Sequence, residues 1–139
     1  MTYRRDVFEK GFSRVKKELY IETNNYHIDT YTGKPLNPGE PWDFEHIISA
    51  KEFSSIPEVD KLDFETQSRI LNHRKNIGFT MRDINKSKSK YPLVEWLERK
   101  SKGRVLTNSE HYNIDVKKAE KLRKKVLEFL IVEIKKALK

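Results

Sequence analysis

Apolar side chains recur at helical spacing near the start of the chain. They are three or four positions apart, which places them on one stripe of a helix: Phe8, Phe12, Val15 and Leu19. The pattern predicts a helix over residues 4 to 22. Basic residues lie mostly off this stripe, and two interpretations of them stay open: contacts with phosphates, or an ordinary solvated helix face.

The longest apolar repeat lies near the other end of the chain, again with steps of three and four: Ala119, Leu122, Val126, Leu130, Ile134 and Ala137. It predicts a helix over residues 115 to 138 with Asp115 as its N-cap. We expect this helix to pack against the N-terminal helix. Its apolar band is wide, so two interpretations remain: internal packing alone, or internal packing together with a homodimer.

The chain between these helices has a different composition. Residues 24 to 57 carry four of the five prolines and two of the five glycines, which predicts loops and short strands. The elements predicted between the two long helices are short strands over 26–31, 42–48 and 76–81, and helices over 58–73, 83–88 (capped by Asp83) and 93–100. The predicted fold class is α+β, and 139 residues predict a single domain.

Charge and cysteine content limit the range of possible functions. The chain has 29 Lys and Arg against 21 Asp and Glu, a net charge of +8, which favours a polyanionic partner such as nucleic acid. There is no cysteine, so disulfides, thiolate zinc sites and a cysteine nucleophile are excluded, and a cytoplasmic location is expected. No signal peptide is predicted, and the longest apolar run, Phe129 to Val132, is too short to cross a membrane.

Two segments carry groups suited to phosphodiester hydrolysis. A neutral histidine can take a proton from water, and a divalent cation can stabilise charge at phosphorus and on the leaving oxygen. Mg²⁺ prefers oxygen ligands. We therefore predict His46 as the general base, with Glu45 and Asn85 as ligands of Mg²⁺ or Mn²⁺. Asp43, two positions before Glu45, is predicted as a supporting or additional ligand.

The histidine ring also needs a partner that fixes its direction. The predicted partner is the side-chain oxygen of Asn76, or else a backbone carbonyl. Asn72 is an alternative, but it lies in the helix predicted before the second strand. Around this crevice we predict a basic rim that contacts nucleic acid: Arg74, Lys75, Arg82, Lys86, Lys88 and Lys90.

These residues resemble the HNH endonucleases of the His-Me finger (ββα-metal) class, and above all the HNH domain of RNA-guided CRISPR effector nucleases. A YSGK-like turn is matched by Tyr31 to Lys34, a DxDHIxP-like strand by Asp43 to Ser49, and an NxxLxxxxxNxxK segment by Asn76 to Lys88. The resemblance implies a ββα-metal core over about residues 28 to 100 between the flanking helices. It also implies a small stand-alone nuclease that leaves 5′-phosphate and 3′-hydroxyl ends on DNA.

The sequence departs from the family pattern in several places. Glu45 stands where Asp is commoner, and Ser49 replaces the usual proline. The segment between His46 and Asn76 is longer than in the CRISPR domains, with room for an extra helix. Many HNH proteins carry paired CxxC zinc motifs, and this chain has none, so no structural zinc is expected.

Other functions fit the same residues. The chain could be a non-catalytic nucleic-acid-binding module that kept the ββα frame, although such a module has no need of this His and Asn set. It could also be a toxin-type DNase or RNase controlled by a protein inhibitor, or part of a larger defence or phage complex. DNA remains the most favoured partner.

Overall fold

The computed structural model describes residues 5–23, 28–36 and 39–139. In these ranges the chain combines helices with one two-stranded antiparallel sheet, so the predicted α+β class is confirmed. None of the helices found there is long and apolar enough to cross a bilayer. The elements are α1 (Arg5–Thr23), β1 (Trp42–His46), α2 (Ala50–Ser54), α3 (Phe64–Leu71), β2 (Ile77–Met81), α4 (Arg82–Lys88), α5 (Leu93–Glu98), α6 (Asn108–Tyr112) and α7 (Val116–Ala137), with 3₁₀ turns at Val59–Lys61 and Arg74–Asn76.

The register of the sheet decides which side chains share a face. Trp42 lies opposite Met81, and His46 lies opposite Ile77. Because successive side chains of a strand point to opposite faces, Trp42, Phe44 and His46 share one face of β1, and Asp43 and Glu45 share the other. Helix α1 covers the first face and α4 covers the second.

The turn before β1 is held by a buried carboxylate. Asp29 accepts hydrogen bonds from the backbone N–H groups of Tyr31, Thr32 and Met81 and from the Thr80 hydroxyl, so the turn is fixed against β2. The strand predicted over 26–31 is therefore wrong over 28–31, where one isolated bridge is followed by a turn. Residues 26 and 27 lie outside the described ranges.

The apolar core has two parts. One joins α1, α2, α3 and α7, with Phe8, Phe53, Leu71 and Leu130 among its buried members. The other lies under α4 and α5 around Trp96. Helix α1 packs chiefly against α3, and α7 packs against α3 and α5. The two terminal helices, predicted to pack on each other, share one core cluster through Phe8 and Leu130, but neither is the other's main partner.

The terminal helices match their predictions to within a residue or two, and the short elements match less well. Asp115 caps α7 by accepting a hydrogen bond from the backbone N–H of Lys118 at 3.1 Å, as predicted. Asp83 is not a cap, because α4 already begins one residue before it. The helix predicted over 58–73 is divided into a 3₁₀ turn and α3, while α2 and α6 were not predicted.

Helix α1 approaches α3 closely at Gly11. A Cβ atom there would lie 2.3 Å from the Ser68 hydroxyl oxygen and 2.8 Å from Nδ2 of Asn72. Both of those side chains already donate hydrogen bonds to α1, to the carbonyls of Val7 and Phe8 respectively. The glycine thus permits a contact that ties α1 to α3.

We predict that Gly11→Ala destabilises the protein, although the same change in an exposed helix normally stabilises it by about 1 kcal/mol. The added methyl group overpacks the α1–α3 contact, so the free energy of unfolding should fall by about 1–3 kcal/mol. Urea denaturation measures it, with the exposed Lys10→Ala as control. A Gly11→Ala variant that is more stable than wild type would contradict this packing.

Candidate active site

His46 closes β1 on the face that α1 covers. Its Nε2 atom lies 2.7 Å from Oδ1 of Asn72. The orientation of that amide is set by its other end, because Nδ2 of Asn72 donates to the Phe8 carbonyl and to the Ser68 hydroxyl. Oδ1 is therefore the acceptor, Nε2 carries the proton, and Nδ1 is left as the basic nitrogen of the ring.

The environment of His46 keeps its ring neutral. Burial lowers the pKa of His46 from 6.5 to about 4, and the positive charges of Lys88 and Lys16 act in the same direction, while the hydrogen bond with Asn72 opposes them. The Phe12 ring packs on the imidazole with 4.1 Å between ring centroids. At pH 7 the side chain is a neutral imidazole with one defined tautomer, which is the form a general base requires.

Glu45, predicted as a metal ligand, lies on the opposite face and is 6% exposed. Its Oε1 atom accepts a hydrogen bond from the Tyr31 hydroxyl and lies 3.6 Å from Nζ of Lys88. Burial raises the pKa of Glu45, whereas the Lys88 charge and the Tyr31 hydrogen bond lower it. Glu45 is thus the buried counter-ion of a lysine, since buried charges need such pairing.

Asp43 and Asn85, by contrast, are brought together at an accessible place. Nδ2 of Asn85 donates to Oδ2 of Asp43 at 3.1 Å, and the Arg82 guanidinium donates to Oδ1 at 3.3 Å. Both residues line a groove of about 450 Å³ together with Phe12, Lys16, Trp42 and Phe44. These residues come from both faces of β1, so the groove lies at the edge of β1 that β2 does not occupy.

Asn76 does not orient His46, contrary to the prediction. It is fully buried, and its side chain bonds the backbone N–H and carbonyl of Ile48 and the carbonyl of Leu71. These bonds hold the turn that follows β1, and Asn72 takes the contact with the imidazole. Asn76 ends the 3₁₀ turn just before β2, where it faces the residues that follow His46. It therefore bonds that segment, and not the imidazole of His46.

The six predicted basic residues do not form one rim. Lys88 is 1% exposed and buried against Glu45, so its placement on the rim was wrong. Arg82 is exposed and paired with Asp43. Arg74 lines a groove between α1 and α3, Lys75 lies over the Phe129 ring of α7, Lys86 lines a pocket beside α4, and Lys90 lines another near α2.

The side chains at the groove suit a cation that keeps several of its waters, and not one that is enclosed by protein ligands. In the part of the chain that the structure describes, no three His, Asp or Glu side chains converge as a metal cage. Asp43 offers a carboxylate, and rotation of the Asn85 amide would offer an oxygen beside it. One carboxylate with one amide oxygen fits Mg²⁺, which keeps several of its waters.

Comparison with known proteins found no similarity: neither a family model, nor a curated protein, nor a solved structure matches this chain.

We predict that His46 makes stability depend on pH. Its pKa is about 4 in the folded protein and 6.5 in an unfolded chain, so the unfolded state binds the proton first as the pH falls. The stabilisation is complete above pH 6.5 and is lost towards pH 4, by up to about 3 kcal/mol. Urea denaturation of wild type and His46→Gln between pH 7 and 4 measures the difference. Equal losses in both proteins would show that His46 is not held neutral.

Proposed function

We propose that this protein is a metal-dependent endonuclease that hydrolyses DNA phosphodiester bonds, with His46 as the general base. The observation that carries the proposal is the His46–Asn72 hydrogen bond, which leaves Nδ1 of a neutral imidazole as the basic atom. The order β1, β2, α4, with His46 closing the first strand and Asn85 on the helix, is compatible with the ββα-metal arrangement of HNH nucleases. The net charge of +8 supports a nucleic-acid substrate.

His46 would act by accepting a proton from water at Nδ1 as the water attacks phosphorus. Nε2 keeps its proton throughout, because the Asn72 oxygen accepts it. A divalent cation, Mg²⁺ or Mn²⁺, would neutralise charge on the phosphate and on the leaving 3′ oxygen. Asp43 and Asn85 would hold it, since both line the groove at the edge of β1.

Phe12 would control access from the groove to the base. Its ring lines the groove and also covers the imidazole of His46. A rotation of the Phe12 side chain would open the imidazole towards the groove, so that a phosphate at the edge of β1 would reach His46 from one face and Asp43 from the other. Lys16, four residues further along α1, lies at the same groove and would meet the phosphate charge.

The buried Glu45–Lys88 pair favours one second candidate, a nucleic-acid-binding module without catalysis. Glu45 corresponds to the metal-binding acid of the HNH pattern, yet its carboxylate is occupied by Lys88 and Tyr31. Such a module would bind DNA through its exposed basic residues. Cleavage assays separate the two candidates directly.

We predict metal-dependent nicking or linearisation of supercoiled plasmid, abolished by EDTA. His46→Ala should lower the rate by a factor of about 10²–10⁴, the usual contribution of a general base, with DNA binding retained. His111→Ala, which changes an exposed histidine on α6, is the matched control and should cleave at the wild-type rate. If His46→Ala cleaves at the wild-type rate, His46 is not the general base. If neither the wild type nor the variants cleave, the binding module is favoured.

We predict that cation binding depends on Asp43 and not on Glu45. Loss of a mere supporting partner costs metal sites about 10–100-fold in affinity, so Asp43→Asn should weaken Mn²⁺ binding at least about tenfold. Glu45→Gln should leave Mn²⁺ affinity nearly unchanged and lower the stability instead, because it leaves Lys88 buried without its counter-ion. Calorimetric titration measures the Mn²⁺ affinity of both variants, with the exposed Asp60→Asn as control. The reverse order of effects would show that Glu45 leaves Lys88 to bind the cation.

A further inference from the structure

A strongly basic pocket lies beside α4, apart from the groove that holds Asp43 and Asn85. Its volume is about 480 Å³, and the helix contributes Asp83, Lys86 and Ser87 to its wall. Five cationic side chains line it against the single carboxylate of Asp83: Lys86, Arg99, Lys100, Lys102 and Arg104. We propose that this pocket binds a backbone phosphate of the nucleic acid outside the cleaved bond, an inference that rests on the proposed function.

One donor in this pocket lacks an acceptor. Nη1 of Arg104 is buried and makes no hydrogen bond within the described residues. A buried donor left unpaired costs about 1–3 kcal/mol, so an acceptor supplied from outside the chain, such as a phosphate oxygen, would stabilise it. A guanidinium presents its N–H groups as a planar fork that fits two oxygens of a phosphate.

The arginines are held in place by aromatic rings. Arg99 lies over the Tyr91 ring, 4.2 Å from its centroid, and Arg104 lies 5.4 Å from the centroid of the Tyr112 ring. The Tyr112 hydroxyl in turn donates to Asp83 at 2.5 Å. Since five cationic side chains line the pocket against one carboxylate, which already accepts this bond, the pocket offers a ligand mainly N–H groups and positive charge, which suits phosphate oxygens.

Hydrogen bonds connect the wall of the pocket to the neighbouring helices. Nε1 of Trp96 donates to the Ser87 hydroxyl at 2.9 Å, and the buried Asn108 donates to the Trp96 carbonyl at 2.8 Å. Asn108 also accepts a hydrogen bond from the Ser101 hydroxyl at 2.7 Å. The loop that carries Lys100, Lys102 and Arg104 is therefore tied to α4 and α5 near the ligand position.

The position of the pocket fits a continuous nucleic-acid path. The same short helix carries Asn85 into the groove and Lys86 into the pocket. Because both sites receive residues from one short helix, the pocket would hold a phosphate near the bond that is cut.

Binding of labelled duplex DNA in EDTA, followed by fluorescence anisotropy from 50 to 200 mM salt, tests the inference without cleavage. Each phosphate contact contributes about 0.9 to the slope of log K against log salt. Lys100→Ala/Lys102→Ala should reduce the magnitude of this slope by about 1 and weaken binding. Lys121→Ala/Lys124→Ala, which removes the same charge from exposed positions on α7, should leave the slope unchanged.

Arg104→Gln is a second variant, and it should also reduce the slope if the unpaired guanidinium meets a phosphate. Thermal unfolding checks that this variant folds. The substitutions of the exposed Lys100 and Lys102 test the pocket without the risk of unfolding the protein. Equal slopes for the pocket and α7 variants would overturn the inference, as would a wild-type protein that does not bind DNA; an acidic protein would then be the better ligand. If the pocket variants reduce the salt slope but the wild-type protein does not cleave plasmid, only the proposed endonuclease activity is refuted.

Discussion

The side chain of Asn72 connects the parts of the protein on which the candidate site depends. Its amide nitrogen bonds the α1 backbone at Phe8 and the α3 hydroxyl of Ser68, and its oxygen receives the proton of His46. One buried amide, 2% exposed, thus joins two helices to the end of β1. Because every polar atom of the amide is used, neither the helix contact nor the ring tautomer can change without the other.

The sheet imposes a second constraint by separating neighbouring residues. Glu45 and His46 are adjacent in sequence, yet alternation along β1 sends them to opposite faces. On the α4 face the Glu45–Lys88 pair is almost completely buried, and breaking such a pair by removing one partner typically costs about 3–5 kcal/mol. The accessible carboxylate is therefore Asp43, and chemistry that uses both faces must take place at the edge of β1.

The sequence predicts best where a pattern repeats over many residues. The long stripes on α1 and α7 were enough to predict both helices. The five-residue helices α2 and α6 were missed, although Ser49 and Thr107, each followed three positions later by Glu, are the local signals of their caps. The roles of Asn72 and Lys88 had no local signal. Each is fixed by a partner at least 26 positions away in the sequence, and only the packed fold reveals such partners.

The position of α1 determines how much of the chain is needed for a working module. The segment from 28 to 100 carries every residue on which the resemblance to HNH nucleases rests, and it would be the natural choice for grafting into another protein. Helix α1 lies outside that segment, yet its Phe12 covers the His46 ring and its Phe8 carbonyl fixes the Asn72 amide. A graft limited to that segment would leave the imidazole uncovered and its supporting amide free to turn, so the smallest transferable unit must include the N-terminal helix.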